Sequence, residues 1–217
     1  MGARDPVRLP PVQTVAPSAL PLALADVKSH LKVDIPDDDG LIAIYMRGAV
    51  ERLDGYEGEL KIALMQQTWA VSYDGFPWGW ALTNHDFILG RRPPLLLPLG
   101  RSTSIVSVSY FDPTNTQQTL PPSAYFFQPG DDKLYPSGTT DWPQTAMRPD
   151  AVTVTFTGGA TTPAGVPGAI IDALLLMIGD LYANRETIGA ATGGIVSLPI
   201  STTVDMLLAR YRYRQDY

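Results

Sequence analysis

Three arginines alternate with tyrosines near one end of the chain: Arg210, Tyr211, Arg212, Tyr213 and Arg214, with Tyr217 just beyond. Guanidinium forks and phenol rings grip carboxylates and anchor protein interfaces. Cations in the last turn of a helix also complement its dipole, for about 0.3–1 kcal/mol each. The cluster is read as an interface element, with dipole complementation as the plain alternative and contact to DNA as a third. A second group, Phe76-Pro77-Trp78-Gly79-Trp80, places three aromatics in one loop. Exposed rings of this kind stack on sugars or bases. Buried ones plug a core or meet another subunit, and that is the reading preferred for Trp78 and Trp80.

The remaining chemistry is sparse. Asp37-Asp38-Asp39-Gly40 lacks the alternating ligands and final Glu of an EF-hand, so it reads as helix-capping charge. Residues 189–194 hold three glycines but no Gly-Lys-Ser/Thr follows, so they make no phosphate-binding loop. There are no cysteines, which removes disulfides, thiol catalysis and Cys-type zinc sites. The two histidines are His30, read as a surface hydrogen-bonder near Asp34, and His85, read as a loop residue. No Gly-x-Ser-x-Gly elbow supplies a nucleophile. Acids such as Asp131 and Asp132 would serve a hydrolase only if they lined a cleft. No catalytic residue, cofactor or metal is expected.

These groups must be positioned by 217 residues of ordinary apolar content, enough for one domain or two small ones. The formal charge is −6, whereas a protein that grips phosphates is usually basic. An acidic wall would instead let DNA slide past. Arg4 and Arg8 are followed by no apolar run, so no secretory signal is expected. The longest apolar run, residues 169–183, carries Asp172 and Asp180 and is shorter than the roughly 20 residues of a membrane span.

Pro6, Pro10, Pro11, Pro17 and Pro21 predict an extended arm over residues 1–21, held by a neighbouring subunit. Leu24, Val27 and Leu31 predict a short helix. Ile42, Met46, Ala49, Leu53, Tyr56, Leu60 and Ala63 trace one apolar seam along a second. Gly48, Gly55 and Gly58 in it predict close packing by another backbone, or a break near Gly55. From Gln66 the period becomes two: Trp69, Val71 and Tyr73, then Val106, Val108 and Tyr110, then a hairpin around 129–132, then Val152, Val154 and Phe156. Pro167 opens a helix that is apolar nearly all round and therefore expected to be buried on every side. Thr202-x-x-Asp205 has the form of a capping box for a last helix, with Val204, Leu207, Leu208 and Tyr211 as its inner stripe.

The expected fold class is α+β. N- and C-terminal helices (residues 22–65 and 166–217) form a discontinuous helical bundle, an antiparallel β domain (66–165) is inserted between them, and the arm precedes both.

The order of these segments resembles the head–tail connector, or adaptor, family of long-tailed phages, prophages and gene transfer agents. The matching stretches are Leu24 to Asp34, Asp37 to Ile42, Gln67-Thr68-Trp69, Asp74-Gly75-Phe76-Pro77 and Arg92-Pro93-Pro94-Leu95. Leu181-Tyr182-Ala183-Asn184-Arg185-Glu186 and Leu198-Pro199 before a helix ending Ala209-Arg210-Tyr211-Arg212 complete the set. Ala23 stands where such proteins tend to have a capping Ser or Thr, the stretch 96–104 is longer than usual, and the arm has no match. The resemblance implies a structural protein: a dodecameric ring beneath the portal, with DNA threading its bore and a stopper or tail-completion protein below. It would be assembled in the host cytoplasm and located in the neck of the particle. It also implies that Arg210, Tyr211, Arg212, Tyr213, Arg214 and Tyr217 face the portal. Trp78, Trp80, Pro10 and Pro11 are candidates for contacts between subunits. The alternatives are a monomeric β-module that binds carbohydrate or another ligand on Trp78 and Trp80, and a hydrolase using acidic residues.

Overall fold

The computed structural model describes residues 6–77, 93–130, 132–138, 141–184 and 202–213. The chain divides into two compact units, each built from two separate stretches: Met1–Pro17 with Gln66–Gly159, and Ser18–Met65 with Ala160–Tyr217.

The first unit holds the strands. They are β1 (Val12–Val15), β2 (Gln67–Tyr73), β3 (Leu95–Leu96), β4 (Ser102–Phe111), β5 (Gln117–Thr119), β6 (Tyr125–Gln128), β7 (Lys133–Pro136) and β8 (Val152–Gly158). One sheet runs β1-β2-β8-β4-β5 and a smaller one β3-β7-β6. Every pairing is antiparallel. Strict alternation makes β2 and β8 two-faced. Trp69, Val71 and Tyr73 on β2 and Val152, Val154 and Phe156 on β8 are buried, while the residues between them are half-buried. The Tyr73 hydroxyl donates to the Leu96 carbonyl at 2.5 Å, tying this inner face to the smaller sheet. The β6–β7 turn uses left-handed backbone at Gly130 and Asp132 (φ 86° and 53°), which glycine and aspartate tolerate best.

Val106 departs from the expected alternation. Bulges shift the β4 register between Ser102 and Ser104 and between Ile105 and Ser107. The extra residue turns Val106 outward, where it is 57% exposed.

The arm is also corrected. Its residues 12–15 are the edge strand β1, paired to β2 of the same chain. Before it, Leu9 N–H donates to Ser72 O at 2.8 Å, and Val7 and Asp74 exchange bonds of 2.7 and 3.0 Å. The chain's own sheet therefore holds residues 7–15 of the arm, and no neighbouring subunit is needed to order them.

The outer face of the larger sheet is arranged in three cross-strand rows. Val15, Thr68, Thr157 and Ser104 form the first; Val12, Ala70, Thr155 and Ser107 the second; Ser72, Thr153, Ser109 and Thr119 the third.

Among the described residues the α-helices lie in the second unit: α1 (Leu24–Leu31), α2 (Asp39–Leu53), α3 (Gly168–Ala183) and α4 (Thr202–Leu208). One core joins them, with Val27, Ile42, Met46, Leu53, Ile170, Leu174, Ile178, Val204 and Leu208 at its centre. Each such side chain contributes about 1.5–3 kcal/mol by leaving water. The α+β class and the grouping of N- and C-terminal helices follow the expectation.

One helix expectation is met and one changes. The break expected near Gly55 is present: the apolar seam does not run on as helix, α2 ends at Leu53, and Gly55 takes φ 77°. Leu60, Ile62 and Leu64 stay in the core from the turn that follows. Its bonds are Gly55 N–H to Ile62 O (2.8 Å) and Leu64 N–H to the Asp54 carboxylate (2.7 Å). Gly58 is packed against backbone as expected, whereas Gly48 has nothing near it. On α3, Asp172, Leu176 and Asp180 form an exposed stripe at four-residue spacing, so the helix is not buried all round. The other helices of its unit pack on its opposite side, where Ile170, Ala173, Leu174, Met177 and Ile178 lie.

Candidate functional site

The arginine–tyrosine cluster is divided by the fold. A one-turn 3-10 segment, Ala209–Tyr211, follows α4 and brings the chain back over the turn after α2. There Tyr213 N–H donates to Leu60 O at 2.8 Å, and Tyr211 and Tyr213 pack against the helical core. Arg212 reaches Asp205 at 2.5 Å and lies 3.9 Å from Glu59, which also accepts from Arg52 at 2.9 Å. Asp205 of the expected capping box is thus engaged by Arg212. Only Arg210 of the described members stays exposed, its guanidinium 4.7 Å from the Tyr211 ring centre. Arg214 and Tyr217 lie outside the described residues. Removal of 209–217 would strip Tyr211 and Tyr213 from the core and weaken the helical unit.

In the aromatic loop, Phe76 is a plug: it is buried, stacks on Trp142 (4.7 Å, 4° between planes) and meets Tyr110 edge-on at 5.8 Å. Trp142 fixes itself by donating to Pro93 O at 3.2 Å. Sequence reading passed over Trp142 because it stands alone in a proline-rich loop; only its partner Phe76 sat in a recognisable cluster. Trp78 and Trp80 lie outside the described residues, as does His85. Of the two arm candidates, Pro10 is exposed and Pro11 is buried.

The acidic triplet holds helices together. Asp38 occupies the N-cap of α2 but makes no side-chain cap bond; its carboxylate accepts the Tyr182 hydroxyl of α3 at 2.5 Å. Asp39 pairs with Lys28 of α1 at 2.5 Å, and Lys28 also donates to Ile35 O. Asp38 and Asp39 thus stand at the N-cap and in the first turn as expected, but their side chains bridge to other helices where a side-chain cap bond was expected, because those helices offer a hydroxyl and an ammonium within reach. Asp132 is buried and structural: its carboxylate accepts Ser102 N–H (3.0 Å) and its carbonyl accepts Leu97 N–H (2.9 Å). Asp131 lies outside the described residues. His30 lies beside Gly179 of α3.

Burial raises the Tyr125 phenol on β6; the other perturbed titrations belong to turns. The Thr114 hydroxyl, Thr116 N–H, Gln118 amide and Thr114 N–H all donate to Asp112 and pull its carboxyl down to about 2. The Arg148 guanidinium binds Asp150 through two bonds of 2.6 and 2.7 Å, which lowers the carboxyl and raises the guanidinium. It lies 3.6 Å over the Phe111 ring and donates to Asn115. Among the described residues no group of three His, Cys, Asp or Glu could hold a metal, and no helix is long and apolar enough to cross a membrane. Among the described residues the geometry offers surfaces and no nucleophile–base pair.

No family model matches the chain, and no curated protein matches it. Solved structures do. A chain in the neck of an empty GTA particle, computed with C6 symmetry, aligns over 96% of this chain and 98% of its own, with 17% identity and a TM-score of 0.69. A chain in the virion of a native gene transfer agent particle aligns over the same shares at 17% identity and 0.66. The neck of the native particle, computed with C12 symmetry, gives the same identity, coverage and score as that virion. The chain shares the fold of a gene transfer agent neck chain. Both units are included in that likeness, since so little of either chain is left out.

Proposed function

We propose that the chain is a structural neck protein of a phage-like particle, acting as a head–tail connector. The carrying observation is the fold likeness to a gene transfer agent neck chain over 96% of this chain. The connector-like order of the sequence segments supports the same reading independently. In this role twelve copies form a ring through head-to-tail contacts that close by rotation. The ring docks on the portal above, receives a stopper or tail-completion protein below, and leaves a bore for DNA. Its work is geometric and needs no catalysis or cofactor. The net charge of −6 suits a bore that repels phosphates. The exposed Arg210, with Arg214 and Tyr217 beyond it, is the portal-facing element, while Tyr211, Arg212 and Tyr213 hold its base to the helical unit. Assembly would take place in the host cytoplasm and the mature location is the particle neck.

Electron microscopy of the chain mixed with the portal ring encoded beside it tests this. A stacked ring of matching symmetry with an open bore is expected. A chain that ignores the portal and instead retains a glycan on a column would overturn the proposal in favour of the β-module. Removal of 214–217, which spares Tyr211 and Tyr213, is expected to abolish docking with no change in melting temperature.

A further inference from the structure

The outer face of the five-stranded sheet is unlike the rest of the chain. Charged residues make up 18% of the sequence, yet none of the cross-strand positions on this face carries a charge. Four of its hydroxyls pair across strands: Ser72 with Thr153 at 3.0 Å and Ser104 with Thr157 at 2.7 Å. Hydroxyls already bonded sideways lose less when water leaves, which lowers the cost of covering them. At one border Val12 and Val15 are 64% and 57% exposed. On β4, Val106 is turned outward by the bulge. A neutral surface, partly self-bonded and carrying exposed valines, has the character of an interface core and not of a solvated face.

Resting on the neck reading above, we infer that this face is one half of the contact between neighbouring copies of the chain. The occupant is a second copy because of charge. Each copy carries −6, so copies repel through their charged surfaces and meet at least cost where no charge is present. DNA does not fit the face, since it offers no cation to replace the counterions of phosphate. In a closed ring the contact is heterologous, so the face of one copy meets a different surface of the next.

The absence of cysteine makes the test direct. Thr155 lies in the middle row, between Ala70 and Ser107. The variant T155C carries the only thiol, and Q128C, at an exposed position of β6, serves as control. Maleimide labelling is compared for free chain and for portal-bound rings. Protection of T155C by tenfold or more, with Q128C less affected, is expected. T155C loaded with benzophenone maleimide before assembly should then give, on irradiation, an adduct of two copies of this chain. Rings that form but leave T155C as reactive as in the free chain, or that link it to a different neck protein, overturn this inference and leave the connector reading standing. If T155C fails to assemble while its melting temperature is normal, A70C at the neighbouring position takes its place, with the same two outcomes. Failure of the unsubstituted chain to join the portal overturns the connector reading itself, and with it this contact.

Discussion

A methyl group on Gly58 would lie 2.3 Å from the Asp54 carbonyl oxygen and 2.5 Å from the carbonyl group of Leu53. Neither neighbour is a flexible side chain, so Gly58→Ala must move backbone. A loss of about 1–3 kcal/mol is expected, read as a lower urea midpoint with an unchanged slope. Asp112 gives a pH signature instead. Its folded value of about 2 lies below the ordinary 3.8, so its contribution is present above 3.8 and is lost as pH falls towards 2. The β unit of the unsubstituted chain should therefore weaken across that window, and Asp112→Asn should remove that part of the slope in denaturant midpoints measured against pH. At this scale the sequence was only partly legible. The aromatic loop was offered as a plug or a subunit contact, and Phe76 takes the plug. The acidic triplet was offered as helix-capping charge, and Asp38 and Asp39 do flank the start of α2, but the bonds of their side chains were missed. Three adjacent carboxylates next to a helix start carry the same signal whether they cap or bridge, and the Tyr182 and Lys28 partners that decide the matter come from other helices.

Between elements, the Asp38–Tyr182 bond joins the start of α2 to the end of α3, and the Lys28–Asp39 pair joins α1 to α2. A double-mutant cycle of Tyr182→Phe with Asp38→Asn should return a coupling of about 1 kcal/mol, and a value near zero would show that the two side chains do not act together. The helices were readable because apolar spacing at three and four residues reports which face is covered. Their limits were less so. The α2 seam continued through Leu60 because that residue is buried from a turn, and burial periodicity does not distinguish a turn from one more helical cycle. The exposed stripe of α3 was hidden for a related reason: Leu176 is apolar, and residue type does not reveal that it is exposed. For β1 the signal was faint, since four residues between prolines look the same free or paired.

At the scale of the molecule, two cores serve two units, and each unit is interrupted in sequence by part of the other. Leu174 is fully buried in the helical core. Leu174→Ala should cost about 2–5 kcal/mol. Hydrogen exchange should show α2 and α3 amides losing protection while those of β2 and β8 keep theirs; equal loss in both would mean the units unfold as one. The insertion itself was legible because the hydrophobic period switches near Gln66 and switches back at Pro167. The interleaving also dictates an order during translation. The seam of α2 emerges early, but α3, which covers it, is made only after the whole β region. At roughly 5–20 residues per second that delay is on the order of ten seconds. For that time the nascent chain displays Ile42, Met46 and Leu53 without a lid, so this stretch is where a ribosome-associated chaperone would engage it.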